Sequence, residues 1–277
     1  MLAVVSVLHY KFMQHAFVAG TLVAIGAGIM GYFMVLRSQT FAGHSLANVG
    51  FAGATGAAWL GAPTVWGLFI AGAAAAAAMH ALGSSERPRV SDVATGAVFT
   101  ASLALGFLFV HLETSQNSLN IYNVLFGNVL GISNSDVRTV ALTILPVVAI
   151  MAIAVRPLLF ASIDAEAARA RGVPVRWLSF GFLVLLAMVV AVAVQIVGVL
   201  LIFSLLVTPA ATARYVTSRP WRAIAVAVAL TVAFTWLGLI VGYYSAYPVS
   251  FFITTFAFGT YVCVRVGRTL AREGWRI

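Results

Sequence analysis

The chain has 277 residues, of which 62% are hydrophobic and only 8% carry a charge. A soluble protein carries about 25% charged residues, so this composition excludes an ordinary soluble domain and indicates a protein surrounded by membrane lipid. The net charge of +9 comes from basic residues that lie between apolar runs. This arrangement indicates membrane topology, and we expect no nucleic-acid partner.

Long runs without Lys, Arg, Asp or Glu predict the transmembrane segments. They cover residues 38–85, 177–213 and 223–264, and each has room for about two helices of roughly 20 residues. The runs lack the alternation of apolar and polar residues that a membrane β-barrel needs, so we predict an all-α helical bundle. In chain order the predicted helices are 16–36, 41–60, 65–82, 93–110, 137–155, two within 177–213 that divide near 195–198, 223–242 and 249–266. A short apolar piece at 121–131 is predicted to be an interfacial or re-entrant helix.

Basic residues cluster at alternate ends of the predicted helices. With the N-terminus outside and nine crossings, all of them except Lys11 and Arg138 lie on the cytoplasmic side, as the positive-inside rule requires. We therefore predict a single transmembrane domain over 1–277, in a bacterial cytoplasmic membrane, with the C-terminus inside.

The longest cytoplasmic loop, residues 156–176, contains a predicted short helix. Asp164 and Glu166 lie early in this helix and arginines lie late, which matches the helix dipole. Gly172 is placed to end the helix, and Pro174 prevents its continuation. From the residues alone, the helix is either a solvated connector or a docking element for a cytoplasmic partner.

Two polar residues interrupt the second predicted span. His44 and Asn48 are four residues apart and therefore lie on one face of the helix. A histidine inside a membrane segment indicates a functional site, and imidazole is a common ligand of transition metals, to which an amide oxygen adds a weak one. The alternative is a hydrogen bond between helices, of the kind that polar residues make in membrane bundles.

A second candidate pair, His111 with Glu113, lies on the predicted outer side, where a cation would enter. A solvated loop is the simpler explanation of this pair.

The sequence contains no motif of an enzyme. It has neither HExxH nor GxxxxGK[ST], which excludes a zincin protease site and nucleotide binding through a P-loop. If ATP drives the activity, it binds a separate ATPase subunit. A secondary transporter needs paired charged residues inside its spans, and none occur.

Five blocks of the sequence occur in a telling order: RSQTFAGHSLANVGFAG at 37–53, SDVATG at 91–96, LFGNVL at 125–130, the loop at 166–172, and GVLLIFSLLVTPAATAR at 198–214. Together they resemble the ABC-3 family of zinc and manganese ABC permeases. The last block is the most specific, because these permeases read GALLI-x-SLLI-x-PAATAR there.

The resemblance implies a homodimeric permease of the type II ABC importer fold. Its partners would be a cytoplasmic ATPase and an extracytoplasmic metal-binding protein or lipoprotein. Its cargo would be zinc, manganese or sometimes ferrous iron, with no permanently bound cofactor. The loop helix would couple the permease to the ATPase through Asp164, Glu166, Ala168 and Gly172. An importer of metal chelates, such as siderophore or cobalamin, is the alternative, and a secondary transporter is a second one.

One site departs from the family pattern. Family members often read Gly-Asp-x-x-x-His in the second span, with the Asp and His lining the metal path, whereas this chain has His44 and Asn48 there. Manganese prefers oxygen ligands, so the loss of the carboxylate favours zinc.

Overall fold

The structure is a computed structural model that describes residues 10–83, 88–112, 127, 131–245 and 247–273. These residues contain helices and no strand, which confirms the predicted all-α fold. The helices are α1 (Lys11–Leu36), α2 (Thr40–Trp59), α3 (Thr64–Leu82), α4 (Pro88–Leu112), α5 (Asn134–Ile163), α6 (Ala165–Ala170), α7 (Val175–Val197), α8 (Val199–Val216), α9 (Pro220–Tyr244) and α10 (Val249–Glu273).

Most helix bounds agree with the prediction, and the largest difference is in α5. This helix continues past the predicted end at 155 to Ile163 and contains Pro157 in its interior. A membrane helix tolerates such a proline because its neighbours can satisfy the backbone groups that the proline leaves free. The predicted division of 177–213 occurs at Gly198, whose φ of +86° separates α7 from α8. The predicted piece at 121–131 lies outside the described residues, except for Gly127 and Gly131.

Seven helices in the described part of the chain are long and apolar enough to cross a membrane. The two other long helices, α2 and α8, fall outside this group. α2 carries polar residues, among them His44 and Asn48. The apolar stretch of α8, Leu201–Val216, is shorter than in the seven helices. The predicted count of nine crossings and the predicted orientation of the termini stay predictions.

Contacts between helix ends show that consecutive long helices from α1 to α7 alternate in direction. At one end, the α1–α2 loop, the end of α3 and the starts of α4 and α7 surround a common cavity beside α6; we call this the α6 end. At the opposite end, Gln195 Nε2 of α7 donates to Asp136 Oδ1 of α5 at 2.9 Å. There, His15 Nδ1 of α1 also lies 3.2 Å from the Ile132 carbonyl oxygen, just before α5. This alternation is what the predicted topology requires.

Small residues bring some helices into backbone contact. A Cβ atom on Gly53 of α2 would overlap the carbonyl oxygen of Gly67 of α3, and a Cβ on Gly67 would overlap the carbonyl oxygen of Gly53. Close approach through small residues is a common way of packing helices in membranes. Because both positions are glycine, α2 and α3 form a tightly packed pair, and α2 is the helix that carries the polar residues of the candidate site.

Candidate functional site

His44 and Asn48 contact each other within α2, as their spacing predicts. The Asn48 Nδ2 atom donates to the His44 carbonyl oxygen at 2.9 Å and lies 3.4 Å from His44 Nε2. The other ring nitrogen, His44 Nδ1, is buried and has no hydrogen-bond partner within the part of the chain that the structure describes. The pair is therefore arranged around one ring nitrogen and leaves the second without a hydrogen bond among the described residues.

Aromatic rings from two other helices flank the His44 imidazole. The Phe203 ring of α8 lies edge-on with its centroid 4.8 Å away, and the Phe99 ring of α4 lies 5.6 Å away. His44 thus lies where α2, α4 and α8 meet. Sequence reasoning missed both phenylalanines, because an apolar helix offers many such residues and only the packing selects these two.

No carboxylate joins His44 in the described structure. The acidic side chains that it describes, such as Asp92 and Asp136, lie near helix ends or in loops, and no group of three His, Cys, Asp or Glu is placed to hold a metal ion among these residues. His44 therefore offers one imidazole nitrogen in an aromatic surrounding, without a second strong ligand among the described residues.

The predicted loop helix is present as α6, with defined caps at both ends. The Asp164 carboxylate accepts from the Ala167 backbone N–H at 2.9 Å, which is a typical N-cap. Gly172 has a φ of +81°, its N–H donates to the Arg169 carbonyl at 2.9 Å, and the Val173 N–H donates to the Ala168 carbonyl at 3.0 Å. These bonds form a Schellman motif, which requires the left-handed conformation that glycine adopts readily.

α6 has one buried and one exposed side. Ala168 is fully buried and packs with Ala161 of α5 and Val175 of α7. Glu166 and Asp164 are exposed. The buried alanine joins α6 to the ends of two long helices.

The predicted outer pair is described only in part. His111 is exposed in the last turn of α4, and Glu113 lies outside the described residues. Whether the two side chains meet stays a prediction.

A polar arrangement at the α6 end was not predicted from the sequence. The Arg37 guanidinium donates to Ser162 of α5, to Ser179 of α7 and to Gln39, and it lies over the Phe182 ring at 5.5 Å. Arg37 therefore joins the α1–α2 loop to the helices on both sides of α6. An arginine at a helix end satisfies the positive-inside rule in any case, so no separate sequence signal pointed to these contacts.

A bundle of long apolar helices with a polar pair inside and a capped short helix at one end is suited to a membrane transport subunit. Comparison with solved structures supports this class. PsaBC from Streptococcus pneumoniae in complex with Fab matches with a TM-score of 0.82 and 27% identity, over 95% of this chain and 94% of that one. An inward-facing putative metal-chelate type ABC transporter matches with a TM-score of 0.75 over 92% of this chain and 86% of that one; at 16% identity it shows the fold alone.

The chain belongs to the ABC 3 transport family, whose sequence profile matches residues 9–267. It is similar to the manganese transport system membrane protein MntC of Halalkalibacterium halodurans, with 33% identity over 76% of this chain and 72% of that protein. The manganese import system permease protein ScaB of Streptococcus parasanguinis is 30% identical over 84% and 82%. The chelated iron transport system membrane protein YfeD of Yersinia pestis is 29% identical over 85% and 78%.

These findings confirm the resemblance and the fold class. The chain is a type II ABC importer permease by fold and a multi-pass protein of the bacterial cytoplasmic membrane. As a member of this family it is a transport subunit and not an enzyme. Family membership also decides against the secondary transporter.

Proposed function

We propose that this chain is the permease through which an ABC importer carries a divalent transition-metal ion, with zinc ahead of manganese, past His44. In this proposal it works as a homodimer with a separate cytoplasmic ATPase and an extracytoplasmic metal-binding protein or lipoprotein. Support comes from the family and from the named relatives, which transport manganese or iron.

The observation that carries the proposal is the unpaired Nδ1 atom of His44. An unsatisfied buried polar atom costs about 1–3 kcal/mol, and this one lies inside the bundle without a partner in the described residues. A metal ion bound at Nδ1 would recover that cost. Imidazole nitrogen is a preferred ligand of zinc and of other first-row transition metals.

Asn48 has a supporting role in this arrangement. When a metal ion occupies Nδ1, the imidazole proton sits on Nε2, the atom 3.4 Å from the Asn48 amide nitrogen. The Nε2–H group then needs an acceptor, and the Asn48 carbonyl oxygen supplies it once the amide turns over and gives up its bond to the His44 carbonyl. Metal-bound histidines usually donate their second N–H in this way, which fixes the ring and raises its basicity.

The donor chemistry and the relatives favour different metals. A neutral imidazole with an amide beside it favours zinc over manganese, which prefers carboxylate and other oxygen ligands. Two of the relatives above are named for manganese and one for chelated iron. Zinc is our proposal, because it follows from the residues of this chain, and manganese is the competing outcome.

We also propose that α6 is the element that contacts the ATPase. Its caps at Asp164 and Gly172 hold the helix in shape, buried Ala168 joins it to α5 and α7, and exposed Glu166 faces outward. A capped helix that is fixed on one side and exposed on the other is suited to transmit a movement of a partner into the bundle.

Uptake of radiolabelled metal by a strain lacking its own importer tests the proposal. The chain is expressed with its ATPase and binding protein, and uptake of zinc, manganese and iron is measured separately. His44→Ala should reduce zinc uptake about tenfold or more, since a direct ligand is lost. Ser102→Ala is the matched control, because among the described residues the Ser102 hydroxyl donates to the Val98 carbonyl of its own helix.

The outcomes separate the possibilities. Unchanged uptake in His44→Ala would mean that His44 has a packing role and binds no metal. Manganese uptake without zinc uptake would support the importer and replace zinc by manganese as its cargo. Uptake of iron only as an intact chelate would favour the chelate importer, which the name of the Yersinia pestis relative supports.

A further inference from the structure

The ring nitrogen of His44 that lacks a hydrogen bond among the described residues is closed off in this structure. His44 Nδ1 is buried, and two rings flank the imidazole, Phe203 of α8 at 4.8 Å and Phe99 of α4 at 5.6 Å between centroids. A metal ion with its water ligands cannot reach a buried nitrogen. The structure is therefore closed at Nδ1, and access to this atom requires a neighbouring group to move.

Phe99 is held in place beside His44, because α4 is fastened to α2. Ser45 of α2 donates to the Thr95 carbonyl oxygen of α4 at 3.4 Å. Further along the same two helices, a Cβ atom on Gly106 of α4 would overlap a phenylalanine ring of α2. Thr95 lies about one turn before Phe99, so the hydrogen bond ties the backbone beside this ring to α2. The glycine contact between α2 and α3 adds a third helix, and we call α2, α3 and α4 the α2 group.

Phe203 is fastened to a different set of helices. A Cβ atom on Gly31 of α1 would overlap the Leu206 carbonyl oxygen of α8, and Leu206 lies within one turn of Phe203. Arg214 of α8 also donates to the Val35 carbonyl oxygen of α1 at 3.1 Å. These two contacts hold α8 against α1 over about two turns.

α9 belongs to the same set as α1 and α8. Trp236 Nε1 of α9 donates to Thr21 Oγ1 of α1 at 2.8 Å, and a Cβ atom on Gly28 of α1 would overlap the backbone of Val228 of α9. We call α1, α8 and α9 the α1 group. No hydrogen bond joins α8 to α2 among the described residues, so at His44 the two groups meet through ring packing.

The two ways of opening the site differ in cost. Separation of α4 from α2 would break the hydrogen bond of the fully buried Ser45 hydroxyl, at a place where lipid supplies no water to replace it. Separation of α8 from α2 would part Phe203 from His44, and an edge-on ring contact contains no hydrogen bond to lose. A buried hydrogen-bonding group left without a partner costs more than a lost ring contact. The α8 side therefore opens more easily.

We propose that Phe203 controls access to His44: it moves away with the α1 group and uncovers Nδ1, while Phe99 stays beside the imidazole with the α2 group. Apolar constrictions close a path by excluding water, and they open when they widen. The passage of a metal ion at His44 rests on the proposed function, whereas the movement of Phe203 relative to His44 does not.

Cross-linking in the transporter assembled with its ATPase tests which ring moves. Cys263, the single cysteine of the chain, is exposed, and Cys263→Ser supplies a background in which this chain has no thiol. In this background, His44→Cys is combined with Phe203→Cys or with Phe99→Cys and treated with a short bifunctional methanethiosulfonate. The yield is measured by mass spectrometry without nucleotide and after trapping with ADP and vanadate.

We expect the two pairs to behave differently. The yield for His44→Cys with Phe203→Cys should differ about threefold or more between the nucleotide states, because the populations of closed and open site differ. The yield for His44→Cys with Phe99→Cys should be the same in both states. His44→Cys alone is the control for cross-links between two copies of the chain, which run at twice the mass on a denaturing gel.

Labelling of the thiol introduced by His44→Cys measures access directly. The reagent is 2-aminoethyl methanethiosulfonate, a small cation. Phe203→Ala should raise the labelling rate in the slower nucleotide state about tenfold and remove its dependence on nucleotide, because the closing ring is absent. Phe99→Ala should leave the dependence on nucleotide intact. Phe258→Ala, at a ring of α10 that is 63% exposed, is the control and should change neither.

The outcomes decide the proposal. A constant yield with Phe203→Cys, or a yield that varies with Phe99→Cys instead, would overturn it. If Phe203→Ala does not assemble, Phe203→Leu keeps an apolar side chain and should still weaken the dependence of labelling on nucleotide; an unchanged dependence there would also overturn the proposal. Normal metal uptake by His44→Ala, together with a state-dependent cross-link to Phe203→Cys, would reject the metal site and support the movement of the ring.

Discussion

Replacement of Gly172 tests whether α6 couples the permease to an ATPase. Gly172 has a φ of +81° and ends α6 in a Schellman motif. A Cβ atom built on Gly172 meets nothing within 4 Å. Gly172→Ala therefore adds no steric clash, and its only cost is the left-handed backbone.

The magnitude of the effect follows from that backbone. A non-glycine residue pays about 1–2 kcal/mol in the left-handed region, which lowers the ratio of capped to frayed α6 by about five- to thirtyfold. Gly172→Pro costs more, because proline fixes φ near −65° and removes the N–H. That N–H donates to the Arg169 carbonyl at 2.9 Å. Uptake should fall with Gly172→Ala, and Gly172→Pro should abolish it.

Two other glycines supply matched controls. Gly61 has a φ of +68° and open space around it, but it lies in the α2–α3 turn at the opposite end of the bundle. Gly181 also has open space, without a positive φ. The assay is ATP-dependent metal uptake into proteoliposomes, normalised to the inserted chain. Equal losses in Gly172→Ala and Gly61→Ala would refute the coupling argument, because a general loss of stability would explain both.

Three further predictions concern other parts of the molecule. Asn48→Asp should raise metal uptake at limiting concentration, because a carboxylate accepts more strongly from the metal-bound imidazole; unchanged uptake would contradict the role given to Asn48. Glu166→Arg should abolish uptake and ATPase co-purification while insertion stays normal, and intact coupling would remove Glu166 from the contact. Gly53→Ala should lower the unfolding temperature, at a cost of about 1–3 kcal/mol from overpacking against α3. Gly259→Ala, where a Cβ meets nothing within 4 Å, should leave it unchanged.

Much of the fold could be predicted because lipid imposes simple rules on sequence. Charge-free runs predicted many of the long helices, and a division near 195–198 was predicted within one of these runs, where the structure divides it at Gly198. The extension of α5 past Pro157 was not predictable. In a sequence, a proline indicates the end of a helix. Only the packing of α5 against neighbouring helices explains why Pro157 lies in its interior.

Contacts within one helix of the candidate site could be predicted from the sequence, and contacts between helices could not. Helical spacing predicted that His44 and Asn48 share a face, and the order of acidic and basic residues before Gly172 predicted α6. Contacts between residues far apart in the chain leave no such pattern in the sequence. Phe203 approaches His44 from 159 positions further along the chain, and Arg37 reaches Ser179; local periodicity carries no information about either.

The mutual contact of Gly53 and Gly67 also limits how the molecule can move. Each glycine faces the carbonyl oxygen of the other, and neither position has a side chain left to lose, so we expect α2 and α3 to move together. His44 lies on α2 and His80 lies on α3. If metal passes His44 as proposed, a displacement of α2 there should be accompanied by a displacement of α3 at His80.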